Sequence, residues 1–285
     1  MHCRLLSFFI LAVSTSHAVW HCNAKRHPLI EKISHVAAKG SPEFPPPPAT
    51  LMHGVWFHIF HTANGTGKLT TEQLVLQIAQ LNKAFSTPHD SQFRFYLKGY
   101  EYIQNEAAFD TCSVEQTMIP HAIKPAIYLN VYTCNLPWFV GEAAMPGMLD
   151  ADFRPVPNTS PLFGIRLDHR VFAGSTDPYY PQYHLGNVLV HEVGHFYGLL
   201  HLYLDGCNLP TDHIADTPRS AHMLLGSCAS LRGSWTCKKI PPGNPPDDYS
   251  NYMFQTDDAC RNHFTPGQIT FMHASVVLFH PQLLG

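Results

Sequence analysis

The sequence predicts an α+β fold, and three observations predict it. Strand-like and helix-like patterns mix between residues 51 and 200. One apolar helix, from Leu185 to Leu199, closes this half. After His201 the texture turns irregular, with four cysteines and paired prolines at 241 and 245. A chain of 285 residues is long enough for one large domain or two lobes.

The elements follow in order. His53 to His61 reads as a strand with Val55, Phe57 and Ile59 on one face. Thr70 then offers an N-cap and Gln73 the matching N3 residue of a capping box. Leu74, Ile78, Leu81 and Phe85 follow at helical spacing as one buried stripe. Gln92 to Tyr100 and Ala126 to Thr133 are rich in aromatic and β-branched residues and read as strands, with a weaker strand at Ile165 to Phe172. Ala143 to Pro161 is turn-rich. A last helix is expected from Pro266 to Phe279, capped by Thr265 with Pro266 in its first turn. No internal repeat is visible.

The N-terminus points to export. Arg4, the apolar run Leu5 to Val13 and the small residues Ser16 to Ala18 make residues 1–18 a signal peptide, too short to span a bilayer. Residues 19–50, with the run Pro45 to Pro48, are too weakly patterned to bury a core and read as propeptide or linker. The folded domain is expected from 51 to 285. Removing Cys3 with the signal leaves seven cysteines, an odd number in an oxidising compartment. Cys22 is the outlier, followed by the basic pair Lys25-Arg26. Either it pairs with another chain, or its thiolate blocks a metal in the folded domain until the segment is cut away. Asn64-Gly65-Thr66 and Asn158-Thr159-Ser160 are N-glycosylation sequons that fit this route. Net charge is −3 and no basic run exceeds two residues, so neither nucleic acid nor an anionic membrane is an expected partner, and a monomer is expected.

The chemistry concentrates in His191 to His201, which reads H-E-V-G-H-F-Y-G-L-L-H. Histidines at i and i+4 share one helix face, so His191 and His195 can present nitrogens to one cation. Gly198 lets the chain leave the helix in a left-handed turn, and His201 can close the coordination from another direction. Three imidazoles with one open position suit a catalytic Zn2+ more than a structural one. Glu192 lies beside them as a candidate base. The chain has 20 histidines, so bare H-x-x-x-H pairs arise by chance, but the five-residue pattern in register does so far more rarely.

This motif resembles the zinc signature of the metzincin metalloproteases. Asn251-Tyr252-Met253, then Asp257-Asp258-Ala259-Cys260 and Phe264 to Gln268, resembles the Met-turn region of the pappalysin family. Leu185-Gly186, Asp205-Gly206-Cys207 and Ala215 to Pro218 resemble pappalysin patterns as well, so the likeness covers roughly residues 51 to 280. It implies a metzincin-like, two-lobed zinc protease domain. The upper lobe, about 51–198, would carry a twisted, mainly parallel sheet and long helices. The lower lobe, about 199–285, would be irregular. It further implies Met253 as a thioether floor under the zinc, and bridges Cys207–Cys237 and Cys228–Cys260. Cys112 and Cys134 are then left as a third pair or as two thiols, with parity favouring the bridge.

The implied activity is hydrolysis of protein or peptide substrates by a zinc-activated water, with Glu192 moving the proton. Gly141 to Ala144 is the segment nominated to pair with an extended substrate. Asp216 is a candidate Ca2+ ligand, though a solvated turn aspartate is the commoner case. One departure stands out: many family members carry a tyrosine two residues after the Met-turn methionine, and here that residue is Gln255, whose amide can still assist an oxyanion. Two other classes compete with the protease. One is a catalytically weakened zinc-binding secreted effector, against which the retained Glu192 argues, and the other is a histidine-rich metal scavenger.

Overall fold

The computed structural model describes residue 33 and residues 50–148, 156–204, 206–207, 212–238 and 243–284. The expected signal peptide, Cys22 and the Lys25-Arg26 pair lie outside the described residues.

A five-stranded sheet organises the N-terminal half, with strand order β2-β1-β3-β5-β4. Strand β1 (Leu51–His61) runs parallel to β2 (Phe93–Gln104) and β3 (Tyr128–Cys134). Strand β3 runs parallel to β5 (Ile165–Asp168). The short edge strand β4 (Gly141–Ala143) is antiparallel to β5. Parallel neighbours need crossovers, and crossovers cover both faces of a sheet. That explains one difference from the alternation expected for β1: Val55, Phe57 and Ile59 are buried on one face, yet His58 and Phe60 on the other are buried too. Phe60 packs with Phe109, Tyr132 and the Cys112–Cys134 disulfide in a second, smaller core.

Helix α1 (Thr71–Ala84) has the complete capping box of Thr70 and Gln73 and buries Leu74, Leu81 and the following Phe85, with Ile78 half-buried. Two short helices, α2 (Glu106–Thr111) and α3 (Val114–Thr117), lie between β2 and β3. Helix α4 (Asn187–Phe196) is shorter at both ends than its apolar run implies. Gly186 takes φ +82° just before it and Gly198 φ +94° just after, so left-handed glycines delimit it.

Beyond α4 regular structure is sparse among the described residues: α5 (Cys228–Leu231), one bridge from Asn251 to His263, α6 (Pro266–Phe279) and a final 3-10 turn. Disulfides Cys207–Cys237 and Cys228–Cys260 tie these loops together, where a hydrophobic core alone would hold them poorly. Helix α6 begins and ends as its sequence predicts, with a capping box of Thr265 and Gln268. Among the described residues, no helix is long and apolar enough to cross a membrane.

Candidate active site

Helix α4 holds His191 and His195 one turn apart, and their Nε2 atoms lie 3.0 Å from each other. The turn at Gly198 swings His201 back, bringing its Nε2 to 3.1 Å from His191 and 3.0 Å from His195. The opposite ring nitrogens are already engaged. His191 Nδ1 donates to the Tyr252 carbonyl and His195 Nδ1 to the Leu199 carbonyl, each at 2.7 Å. With the proton on Nδ1, the Nε2 atoms of these two present lone pairs, which repel one another unless a cation lies between them.

Burial favours the neutral rings. It holds His195 down to about 4, and burial with neighbouring imidazoles puts His191 and His201 well below the ordinary range. A tetrahedral ion with bonds of about 2.0–2.1 Å sets its nitrogens about 3.3 Å apart, so the three imidazoles fit zinc. Among the described residues they are the one such cluster of metal-ligating side chains.

Met253 is fully buried beneath this helix. A Cβ on Gly194 would stand 2.5 Å from the Met253 sulfur, so the glycine inside the H-E-V-G-H segment is there to admit the thioether. The turn is fixed by Asn251, whose Oδ1 accepts from the Met253 N–H at 2.9 Å and from Gln268 at 3.1 Å. Gln268 is also the N3 residue of α6, which couples the turn to that helix. Tyr252, next to Met253, supplies the carbonyl that orients His191.

Glu192 is buried, which pushes its carboxyl up to about 8; Glu142 adds to the rise and Arg261 opposes it. A divalent cation at the imidazoles acts in the same direction as Arg261. Strand β4 lies against it: a Cβ on Gly141 would meet Glu192 Oε1 at 2.7 Å. Gln255 reaches the same place, with its amide nitrogen 3.4 Å from His201 Nε2. Tyr203 stacks on the far side of the His201 ring at 4.9 Å between centroids.

Sequence reasoning missed Asp258 and Asn187. Gly186 gives α4 no side-chain cap, and Asp258 Oδ2 accepts instead from the Leu185 N–H at 2.9 Å and the Asn187 N–H at 3.3 Å. Its other oxygen receives Arg261 Nη2 at 2.5 Å, and Asn187 Nδ2 donates back to the Asp258 carbonyl at 2.7 Å. The signal was available: Leu185-Gly186 leaves a buried helix start without a Ser, Thr, Asp or Asn, so a distant carboxylate had to serve. Asp216 also works as a cap, accepting from Thr265 Oγ1 at 2.7 Å and from the Gly267 N–H at 2.8 Å at the start of α6.

Residues 171–277, which span α4 and the Met253 turn, match the model of a peptidase family described as pregnancy-associated plasma protein-A. An extracellular metalloprotease of Neurospora crassa is 30% identical over 249 residues, covering 86% of this chain and 80% of that protein. The chain belongs to this pappalysin family. A second relative, an extracellular metalloprotease of Colletotrichum graminicola, is 32% identical over 237 residues, 79% of this chain and 77% of that one.

The fold agrees with solved structures. Tannerella forsythia promirolysin superposes with a TM-score of 0.67 at 24% identity, covering 91% of this chain and 92% of that one. Mirolysin in complex with a small compound gives a TM-score of 0.63 at 25% identity, covering 83% of this chain and 99% of that one. This pappalysin is a secreted zinc metalloendopeptidase of the metzincin type.

Proposed function

We propose that His191, His195 and His201 hold the one catalytic zinc, that Glu192 is the general base, and that an extended peptide pairs with β4 across the site. The carrying observation is the convergence of three Nε2 atoms within 3.0–3.1 Å, two of them with their Nδ1–H groups spent on backbone carbonyls. When bound, zinc supplies Lewis acidity, bringing the pKa of water toward about 7 and polarising a carbonyl.

The chain's residues do the rest. Glu192 takes a proton from the attacking water and returns it to the leaving amine; burial raises its affinity for that proton, and a cation at the imidazoles lowers it. Gln255 donates its amide N–H to the developing oxyanion. Met253 and Tyr252 fix the ligand set from below, and Asp258 fixes the start of α4. Strand β4 is the sheet's edge, with backbone groups available for an added strand, and Gly141 brings that edge against Glu192.

Residues 51–285 form the catalytic domain in this reading, after a signal peptide and a propeptide whose Cys22 serves latency. Both oxygens of Asp216 are spent on α6, which supports a capping role over a calcium role. Digestion of a peptide library by the zinc-loaded enzyme tests the proposal. Cleavage should stop with a chelator and return with added zinc; cleavage that survives metal removal rules it out.

A further inference from the structure

The chain offers two sequons to a secretory pathway, and the fold treats their asparagines oppositely. Asn64 lies in the exposed turn between β1 and α1, closed by the Thr62 N–H to the Thr66 carbonyl at 3.0 Å. Its Oδ1 accepts from Thr62 Oγ1 at 2.5 Å, from the Thr66 N–H at 3.1 Å and from Thr66 Oγ1 at 2.9 Å. Its amide nitrogen has no protein partner among the described residues. Space around it is open: Gly65, at φ +89°, could carry a Cβ that met nothing within 4 Å.

Asn158 is half-buried and uses its amide hydrogens. Nδ2 donates to the Phe279 carbonyl at 2.5 Å and to Gln282 Oε1 at 3.0 Å. Phe279 ends α6, so its carbonyl is one of the acceptors that a helix leaves unpaired, and Asn158 satisfies it. The same asparagine lines a cavity with Val156, Phe163 and Leu278.

We propose that Asn64 carries an N-linked glycan and that Asn158 is a structural residue that must stay bare. In the transfer, Asn64 Nδ2 loses one hydrogen and bonds to the anomeric carbon of an N-acetylglucosamine, while the donor, a lipid-linked oligosaccharide, releases its lipid pyrophosphate. At Asn64 this replaces a solvated hydrogen and keeps all three bonds to Oδ1. At Asn158, where both hydrogens are donated, it removes one of the two bonds and leaves either the part-buried Phe279 carbonyl at the end of α6 or Gln282 Oε1 without its partner. The transferase meets both sequons in an unfolded chain, so the fold decides which product reaches the medium. A chain glycosylated at Asn158 cannot make both contacts with the end of the chain, and the glycan must also fit beside the cavity that Asn158 lines.

The inference rests on the secretory reading, and the test separates the two. The full chain is produced in a eukaryotic host with N-glycosylation, and proteolytically active protein is collected from the medium. Glycans are released by an amidase in 18O water and the peptides are mapped. An 18O-labelled aspartate is expected at position 64 and unmodified asparagine at 158. Thr66→Ala should abolish the glycosidase-sensitive mobility shift, and Ser160→Ala should leave it whole. Label at 158, or none at 64, overturns the assignment. Activity in the medium keeps secretion standing in either case.

Discussion

Gly141 and Glu192 are in contact, the edge strand pressing on the carboxylate: a Cβ at residue 141 would lie 2.7 Å from Glu192 Oε1 and 2.8 Å from its Cγ. Strand β4 therefore does two things. It bounds the site as a sheet edge, and it sets where the Glu192 carboxylate stands relative to the three imidazoles.

Gly141→Ala should push Glu192 out of line while leaving the ligands alone. A displacement of about 1 Å at a reacting group costs on the order of 10²-fold in rate. We expect kcat/KM to fall by about that factor, with zinc content by mass spectrometry unchanged. An alanine variant with wild-type kcat/KM would show that β4 does not position the base.

Gly194→Ala opposes two known effects. Alanine is favoured over glycine inside a helix by about 1 kcal/mol. Against this, the Met253 sulfur lies 2.5 Å from the new Cβ, and overpacking of a core costs about 1–3 kcal/mol. The variant should be less stable in urea, and Met253→Ala should be less damaging in that background than in the wild type. Additive effects in the double-mutant cycle would mean that the two residues do not touch.

Asp258 ties the Met253 loop to the start of α4. Asp258→Ala leaves Arg261 buried without its partner and two N–H groups without an acceptor, a class of change that costs about 3–5 kcal/mol. Asp258→Asn keeps an acceptor and should cost less. Urea unfolding followed by circular dichroism distinguishes them; equal stability of the two variants would remove the capping role.

Two buried histidines behind α4 make acid sensitivity an expected property. Burial holds His53 at about 3, with the nearby His280 adding to it, and burial holds His280 at about 4, against 6.5 when exposed. His53 Nδ1 also meets the Tyr197 hydroxyl at 2.6 Å. Both folded values are depressed, so below pH 6.5 the unfolded chain binds these protons first. Their contribution is complete above 6.5 and is lost as pH falls toward 4 and then 3, at up to about 1.4 kcal/mol per pH unit for each group. Urea midpoints between pH 7.5 and 5 should fall, and His280→Leu should flatten the slope. A variant as steep as the wild type would contradict this assignment.

Much of this was legible in the chain because local chemistry agreed with the fold. Thr70 with Gln73, and Thr265 with Gln268, mark helix starts through contacts three residues apart, and the His191 to His201 spacing is set by one helix and one turn. What stayed hidden depends on contacts far apart in sequence. Asp258 caps a helix more than seventy residues earlier in the chain. The sequence nominates Gly141 to Ala144 for substrate pairing, but the pairing partner of β4 was not legible: its three residues have no β-branched side chain and are held by pairing with β5, not by their own preference. The second buried face of β1 depended on α2 and a disulfide that only the folded chain brings over it.

One zinc on three histidines, with Glu192 as the proton carrier, makes a prediction for a single variant. Glu192→Gln tests it most directly, when zinc stoichiometry and peptide cleavage are measured on the same sample. One zinc per chain is expected, as in the wild type, with cleavage reduced by at least about 10²-fold, the lower end of what general-base loss costs. Full zinc with undiminished cleavage would contradict it.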